Sequence, residues 1–407
     1  APELPPAEPP AVLALSEATR YQGIELLRER EDLLRKRQDL VREAVLTKER
    51  YEELVKKAEG YARKAEENLK KSDDKFARAY ELLKAGMGVH AAAVKAGKAK
   101  PETAAPLHAA LAARESERGK VAAALAVIEE GLKALPGSPG LLGERLGYQI
   151  RSGDAAGAEG TLAELGKIGQ LRPGDEPFFN GRIRMLRGQW AEAARDLEFA
   201  LRESVGNATP GRAHETNLYL GRCYEQLGRT EQRLAAFTAA KPADPGSEVW
   251  LPALFGKAEA ELAAGRVEDA EATYREAADR LGGLTWMPVA RIRVRLAIQS
   301  TPDQKAARWA AAEEALGRAE QTPTKDDQGP TAEAIVLRAN VLVLRDDKWD
   351  EARKLLEGLR AAELKKKKED RDPSAWVTLA GLDQRTDPRR SLAVLAEGER
   401  EVGDSVA

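Results

Sequence analysis

Cysteine, histidine and aromatic residues are scarce in this sequence of 407 residues. The single cysteine, Cys223, has no partner for an internal disulfide bond, which excludes disulfides as a source of stability within the chain. No run of about 18 apolar residues occurs, so the sequence predicts no membrane-spanning segment. A basic excess is also missing, because 65 Lys and Arg residues face 67 Asp and Glu residues. This balance argues against a nucleic-acid partner, whose phosphates require basic surfaces.

Alanine, leucine, glutamate, lysine and arginine dominate the sequence, and these residues favour helices most strongly. We therefore expect an all-α protein. The abundance of Ala, Gly and Arg is typical of GC-rich bacterial genomes, but it does not distinguish a cytoplasmic from an envelope-associated protein. The sequence begins with APELPPAEPP and has no initiating Met, which favours an excised or processed piece of a longer protein.

A glycine followed by a polar or charged residue and then by a helical pattern recurs at spacings of about 34 to 40 residues. This spacing is typical of a repeated helical hairpin, in which the glycine ends the first helix in a left-handed conformation. The recurring glycines are Gly119, Gly153, Gly188, Gly228 and Gly265.

The helix after each glycine carries a small, a large and a second small or medium residue, separated by four and then three positions. This spacing places all three side chains on one helical face, where the small ones allow a neighbouring helix to approach closely. The same pattern continues after residue 285 without the turn glycine, so repeat boundaries there stay open. The triplets are Ala124/Ile128/Gly131, Ala158/Leu162/Leu165, Ala193/Leu197/Ala200, Arg233/Phe237/Ala240, Ala270/Tyr274/Ala277, Ala312/Leu316/Ala319, Ala352/Leu356/Leu359 and Ser391/Leu395/Gly398.

The repeat around Gly228 resembles the tetratricopeptide repeat (TPR). The segment ETNLYLGRCYEQLGR and the residues after it carry the resemblance, at Leu220, Gly221, Tyr224, Gly228, Phe237, Ala240 and Pro245. The departure is Arg233, where the family prefers alanine. The resemblance implies a right-handed α-solenoid of about eight helical hairpins over residues 105–404, with a concave groove. A related helical-hairpin repeat is the alternative for the last three units.

The first hundred residues follow another pattern. Residues 1–10 are predicted to form a Pro-rich extended linker, residues 11–85 long charged helices, and residues 86–104 a flexible, partly helical junction. Heptad spacing along residues 51–83, interrupted only by Ser72, favours a long helical hairpin or a coiled coil. It would pack on the first repeats or join two chains into a homo-oligomer, and the sequence does not choose between these.

No catalytic, cofactor-binding or metal-ligating set stands out. The segment GMGVHA, from Gly86 to Ala91, matches a loose dinucleotide-binding pattern, but it follows a predicted helix where that site needs a strand. The histidines, His90, His108 and His214, are scattered and lack a metal-binding spacing. We expect no enzymatic activity, cofactor or metal ion.

The TPR resemblance implies that partner peptides lie along the first helix of each unit. Arg182 and Arg222 occupy the same position in adjacent units, so we expect them to project side by side and hold a carboxylate; the alternative is that each pairs with a nearby glutamate. The positions that the resemblance assigns to the groove are Phe178, Arg182, Met185, Leu218, Arg222, Glu225, Phe255, Glu259 and Leu262.

The sequence therefore predicts a non-catalytic scaffold that docks a protein or peptide partner in a concave groove. Two alternatives stay open. The chain would serve as a spacer or oligomerisation element built on residues 11–85, or it would be the substrate-presenting arm of a larger enzyme.

Overall fold

The computed structural model describes residues 9–46, 51–203, 210–320, 330–384 and 387–403. All regular secondary structure in these ranges is helical, as the composition predicted. The chain divides into two compact units, Ala1–Thr209 and Pro210–Ala407. None of the helices in the described ranges combines the length and the apolar character needed to cross a bilayer.

The first unit begins with two long helices that pack against each other as an antiparallel hairpin, α1 (Pro9–Leu46) and α2 (Tyr51–Lys95). Seam residues predicted on α2 are buried in this hairpin, among them Ala65, Ala79 and Leu83. Other predicted seam positions, including Tyr51 and Val55, have side chains outside the described residues.

Two buried serines cross-link the hairpin. Ser72, the one polar residue in the predicted seam, donates a hydrogen bond to the Gly23 carbonyl oxygen at 2.9 Å. Ser16 donates likewise to the Ala79 carbonyl oxygen at 2.9 Å. Because each hydroxyl is satisfied by a backbone acceptor on the facing helix, these serines stabilise one register of the two helices.

The hairpin packs on the first repeat through an apolar cluster that joins Val12 and Leu83 to Leu107 and Leu111 of α3 (Ala105–Glu117). Ion pairs surround this cluster. Arg20 of α1 contacts Glu117 at 3.0 Å, and Arg114 contacts the same carboxylate at 2.9 Å. Within the described residues the hairpin therefore packs on its own repeats, which is one of the two arrangements that the sequence left open.

The structure differs from the predicted junction at residues 86–104. Helix α2 continues through Gly86 and Gly88 to Lys95, and a short 3₁₀ helix (Pro101–Ala104) connects it to α3. Gly86 is helical because it faces α1: a Cβ at this position would overlap the Val12 side chain. Glycine here permits close helix packing, whereas the sequence prediction placed it at the start of a flexible, partly helical junction.

The rest of the first unit consists of consecutive helix pairs, each a first helix followed by a second helix. The pairs are α3 with α4 (Val121–Ala134), α5 (Pro139–Ser152) with α6 (Ala155–Lys167), and α7 (Asp175–Leu186) with α8 (Trp190–Glu203).

The second unit continues the same arrangement. Its pairs are α9 (Pro210–Gln226) with α10 (Thr230–Ala240), α11 (Trp250–Ala263) with α12 (Val267–Leu281), α13 (Trp286–Gln299) with α14 (Pro302–Glu320), α15 (Ala332–Asp346) with α16 (Trp349–Glu363), and α17 (Ser374–Asp383) with α18 (Pro388–Val402).

The turn glycines predicted from the repeat adopt the conformation that the prediction required. All five have positive φ angles, at Gly119, Gly153, Gly188, Gly228 and Gly265. After α15 the same role falls to Asp347, which adopts the left-handed conformation with φ 54° and ψ 30°. The repeat thus keeps its backbone turn at a place where the sequence has lost the glycine.

The predicted triplets line the packed interior of the helix pairs. Every triplet residue is buried except Arg233 and Leu395, which are half-buried. The triplet residue Phe237 shows why the small residues are needed. A Cβ on Gly221 or on Gly256 would overlap its ring, so only glycine allows α9 and α11 to close around it.

Candidate partner-binding surface

Within each compact unit, first helices of several neighbouring pairs contact each other directly and so form a wall. In the first unit α3 contacts α5 and α5 contacts α7; in the second, α9 contacts α11, while α13 contacts α15 and α15 contacts α17. Each second helix packs against the first helix of the next pair where the two belong to the same compact unit, so part of its surface is covered. Exposed residues on the wall of first helices are therefore candidates for partner binding.

The predicted groove residues of the first unit lie on α7. Phe178 is only 1% exposed and packs inside the unit, so a partner does not reach it in this structure. Arg182 lies over the Phe178 ring, with its guanidinium carbon 5.8 Å from the ring centroid. Met185 is half-buried.

The predicted residues on α9 and α11 are similarly divided between interior and surface. Leu218 is 6% exposed and belongs to an apolar cluster around Phe237. Phe255 and Leu262 are half-buried against the core, and the Phe255 ring meets Tyr274 edge to face at 5.1 Å. Burial, assisted by the negative charge of Glu259, raises the pKa of Tyr274 to about 12. The apolar positions therefore contribute mainly to packing, while the charged ones remain accessible.

The contacts of Arg233 explain why this position departs from the TPR pattern. Its side chain, 11% exposed, contacts the Glu225 carboxylate at 2.8 Å and the Glu259 carboxylate at 3.1 Å. These glutamates belong to α9 and α11, so one arginine on α10 bridges first helices of neighbouring pairs. Two of the predicted groove residues are thus engaged by a cation of the chain itself.

The two arginines predicted to act together belong to adjacent repeats but to different compact units of the fold, Arg182 to the first and Arg222 to the second. The exposed Arg222 side chain lies 5.7 Å from the centroid of Tyr219, one turn before it on α9. Each guanidinium therefore stacks on an aromatic ring of its own helix. Their joint action on one carboxylate stays a prediction.

An open cleft of about 400 Å³ lies on the wall between α13 and α15. We call it the α13/α15 cleft. Four apolar side chains contribute to its lining, and Ile298 among them is 51% exposed. Its lining residues are Arg291, Val294, Arg295, Ile298 and Gln299 from α13, with Glu333, Val336, Leu337 and Asn340 from α15.

An ion pair between Arg291 and Glu333 joins the two helices at one end of the cleft. Arg295, one turn further along α13, is exposed and makes no ion pair within the described residues. The side-chain amides of Gln299 and Asn340 likewise have no hydrogen-bond partner in that part of the chain. The cleft thus combines apolar surface with unused hydrogen-bonding groups, a combination that is typical of a binding site.

The sequence prediction missed this cleft because the repeat phase was uncertain after residue 285. A usable signal was present, since Arg291, Arg295 and Ile298 follow helical spacing, as do Glu333, Leu337 and Asn340. What sequence spacing could not show is that these two faces meet.

The described residues contain no group of three or more side chains placed to hold a metal ion. The thiol of Cys223 is buried in α9, and burial raises its pKa to about 12, so it is protonated at neutral pH. Neither observation indicates a reactive centre.

No protein-family model and no curated protein sequence matches this chain. Among solved structures, the apo form of RapI aligns with 72% of this chain and 86% of its own, at 12% identity and a TM-score of 0.54. A thermophilic TPR protein from Thermus thermophilus aligns over 48% of this chain and 94% of its own, at 21% identity and a TM-score of 0.36. A TPR protein from Parabacteroides merdae covers 63% and 93%, at 16% identity and a TM-score of 0.37.

At these identities the comparisons bear on the fold alone, and RapI is the one of these three similar enough to support an argument about it. The chain's own features agree with that likeness: successive helix pairs, left-handed turn glycines and buried small-large-small triplets. The chain has a TPR-like helical-repeat fold.

Proposed function

We propose that this chain is a non-catalytic protein–protein interaction scaffold and that the wall of first helices in its second unit docks a peptide segment of a partner. The observation that carries the proposal is the α13/α15 cleft. It places the exposed apolar Ile298 beside unpaired polar groups. An isolated surface isoleucine needs no explanation, but an apolar cleft rimmed by polar groups that have no partner among the described residues is typical of an interaction site.

The oligomerisation alternative receives less support from the hairpin. The seam residues Ala65, Ser72, Ala79 and Leu83 are buried between α1 and α2, so they are not available to a second copy. No comparable internal partner covers the α13/α15 cleft within the described residues.

The proposal can be tested by selecting peptides from a random, C-terminally capped library against the full chain. We expect the selected peptides to lose at least about tenfold in affinity when Ile298→Glu places a charge in the cleft, because the carboxylate opposes burial of apolar side chains. Leu392→Glu is the matched control. Leu392 is 68% exposed on α18, so the same chemical change occurs away from the wall.

Circular dichroism should first show that both variants retain the helical content of the parent chain. Peptides that bind the control but not Ile298→Glu would support docking in the cleft. Selection of no peptide that depends on Ile298 would contradict the proposed function.

A further inference from the structure

Arg295 differs from the other arginines of α13. Arg291 is paired with Glu333, and Arg293 contacts Glu271 at 2.9 Å and the Ala311 carbonyl oxygen at 3.1 Å. Arg295 points into the α13/α15 cleft, is exposed, and has no partner among the described residues. A guanidinium that is neither paired nor buried offers its full set of donors to a ligand, and the two oxygens of a carboxylate match the geometry of that fork.

The surroundings of Arg295 restrict the ligand further. Val294 and Ile298 lie on either side of it along α13, and Val336 and Leu337 face them from α15. These side chains favour aliphatic groups on both sides of the carboxylate. Arg291 and Glu333 neutralise each other at their end of the cleft, so Arg295 is the one uncompensated charge among the lining residues and attracts an acidic group.

The two amides indicate the backbone conformation of the ligand. Gln299 and Asn340 each offer donors and an acceptor that no described residue uses. A peptide in extended conformation has free N–H and C=O groups that can pair with such amides. A helical ligand satisfies its own backbone and would leave both amides without partners.

We propose that the α13/α15 cleft recognises an extended peptide segment in which one Asp or Glu side chain, flanked by aliphatic residues, pairs with Arg295. This inference rests on the proposed function and names the class of partner segment that the same wall accepts. The apolar lining supplies contact area, Arg295 selects the acidic residue, and Gln299 and Asn340 hold the backbone.

Three synthetic peptides test this assignment directly: GVLELVG, GVLQLVG and GVLKLVG, each fluorescein-labelled and C-terminally amidated. Amidation removes the terminal carboxylate, so the central residue alone sets the charge difference between them. In fluorescence anisotropy titrations with the full chain, we expect the Glu peptide to bind at least about tenfold more tightly than the Lys peptide, with the Gln peptide between them.

Arg295→Glu should reverse this order, because the variant then repels the Glu peptide and attracts the Lys peptide. Arg389→Glu is the matched control. Arg389 is exposed on α18 and has no ion pair within the described residues, so it produces the same change in net charge away from the cleft. A reversal with Arg295→Glu and an unchanged order with Arg389→Glu would support the proposal.

Equal binding of the three peptides, or an order that Arg295→Glu leaves unchanged, would overturn acidic recognition without affecting peptide docking on the wall. Absence of binding by all three would also overturn it. The separate selection from random peptides then decides whether the wall docks any peptide, so the two proposals can fail independently.

Discussion

At the scale of single residues, charged side chains occupy positions where the repeat pattern has alanine or glycine. Arg233 occupies a position where the TPR pattern prefers alanine, and it bridges Glu225 of α9 and Glu259 of α11. Its side chain also lies over the Phe237 ring, 5.8 Å from the centroid. The arginine therefore adds ion pairs and aliphatic packing between neighbouring first helices, at a position that an alanine would leave more open.

We expect Arg233→Ala to lower the free energy of unfolding by about 1–2 kcal/mol, measured by urea denaturation. Both carboxylates are well exposed, so solvent screening limits the ion-pair share to under about 1 kcal/mol, and lost packing of the arginine stem supplies the rest. Arg233→Met keeps an aliphatic stem, so its free energy of unfolding should lie between those of the parent chain and of Arg233→Ala. Arg229→Ala, at an exposed arginine nearby, should change stability by less than about 0.5 kcal/mol. An unaffected Arg233→Ala variant would contradict the bridging role.

Asp347 is strained by its position in the repeat turn. It is the one non-glycine residue with positive φ among the described residues, and it stands where earlier repeats have the turn glycine. Asp347→Gly should raise the free energy of unfolding by about 0.5–1 kcal/mol, because glycine adopts this conformation without a Cβ penalty. The reciprocal change, Gly265→Ala, should lower stability by about 1 kcal/mol or more. A destabilised Asp347→Gly variant would mean that the hydrogen bond from Trp349 Nε1 to the Asp347 carboxylate, at 2.6 Å, outweighs the backbone strain.

Cys223 provides a prediction about alkaline pH. Its folded-state pKa, about 12, lies above the ordinary value of 9.0, because burial disfavours the thiolate. A raised pKa means that the folded state retains the proton while the unfolded state loses it. The corresponding contribution to stability is therefore complete below pH 9 and is lost as the pH rises from about 9 towards 12.

Urea titrations of the parent chain and of Cys223→Ala between about pH 8 and pH 11 measure this effect. The parent should lose stability more steeply than the variant above about pH 9. Parallel curves for the two proteins would show that the Cys223 thiol does not titrate differently in the folded and unfolded states.

At the scale of elements, close contacts between helices depend on particular glycines. The sequence alone does not show which glycines lie at such contacts. Gly86 and Gly88 lie two residues apart on α2, but only Gly86 faces α1. Gly86→Ala should destabilise the hairpin by about 1–3 kcal/mol, because its methyl group would overlap Val12. Gly88→Ala has open space and should stabilise α2 by about 0.5–1 kcal/mol through helix propensity.

A second substitution separates overlap from other causes. Val12→Ala removes the atoms that the new methyl group would meet, so the double variant Gly86→Ala/Val12→Ala should be more stable than the sum of the two single changes predicts. Simple additivity in thermal or urea unfolding would argue against a direct contact between these positions.

At the scale of the whole chain, the periodic features could be predicted from the sequence, but contacts between residues far apart in the sequence could not. The turn glycines from Gly119 to Gly265 and the buried triplets follow from periodicity, because backbone sterics and helical spacing are local. The helical continuation through Gly86 was missed, since it depends on contact with Val12, which is remote in sequence.

The candidate site shows the same limit. Of the positions assigned to the groove, Arg222 and Glu259 are exposed, whereas Phe178 and Leu218 lie in the interior. Helical spacing identifies one face of a helix, and it does not say how deeply a neighbouring helix covers that face. Predicting the α13/α15 cleft requires the packing of both helices. Neither repeat has the turn glycine that would align it with the others, because Ser300 follows α13 and Asp347 follows α15.

Photo-crosslinking of a selected peptide to the full chain tests the central claim most directly. The peptide would carry a diazirine side chain next to its acidic residue, and crosslinked fragments would be identified by mass spectrometry. Docking on the wall predicts adducts within residues 291–299 of α13 and residues 333–340 of α15, lost with Ile298→Glu. Adducts confined to the N-terminal hairpin or to the second helices α12, α14 and α16 would contradict it.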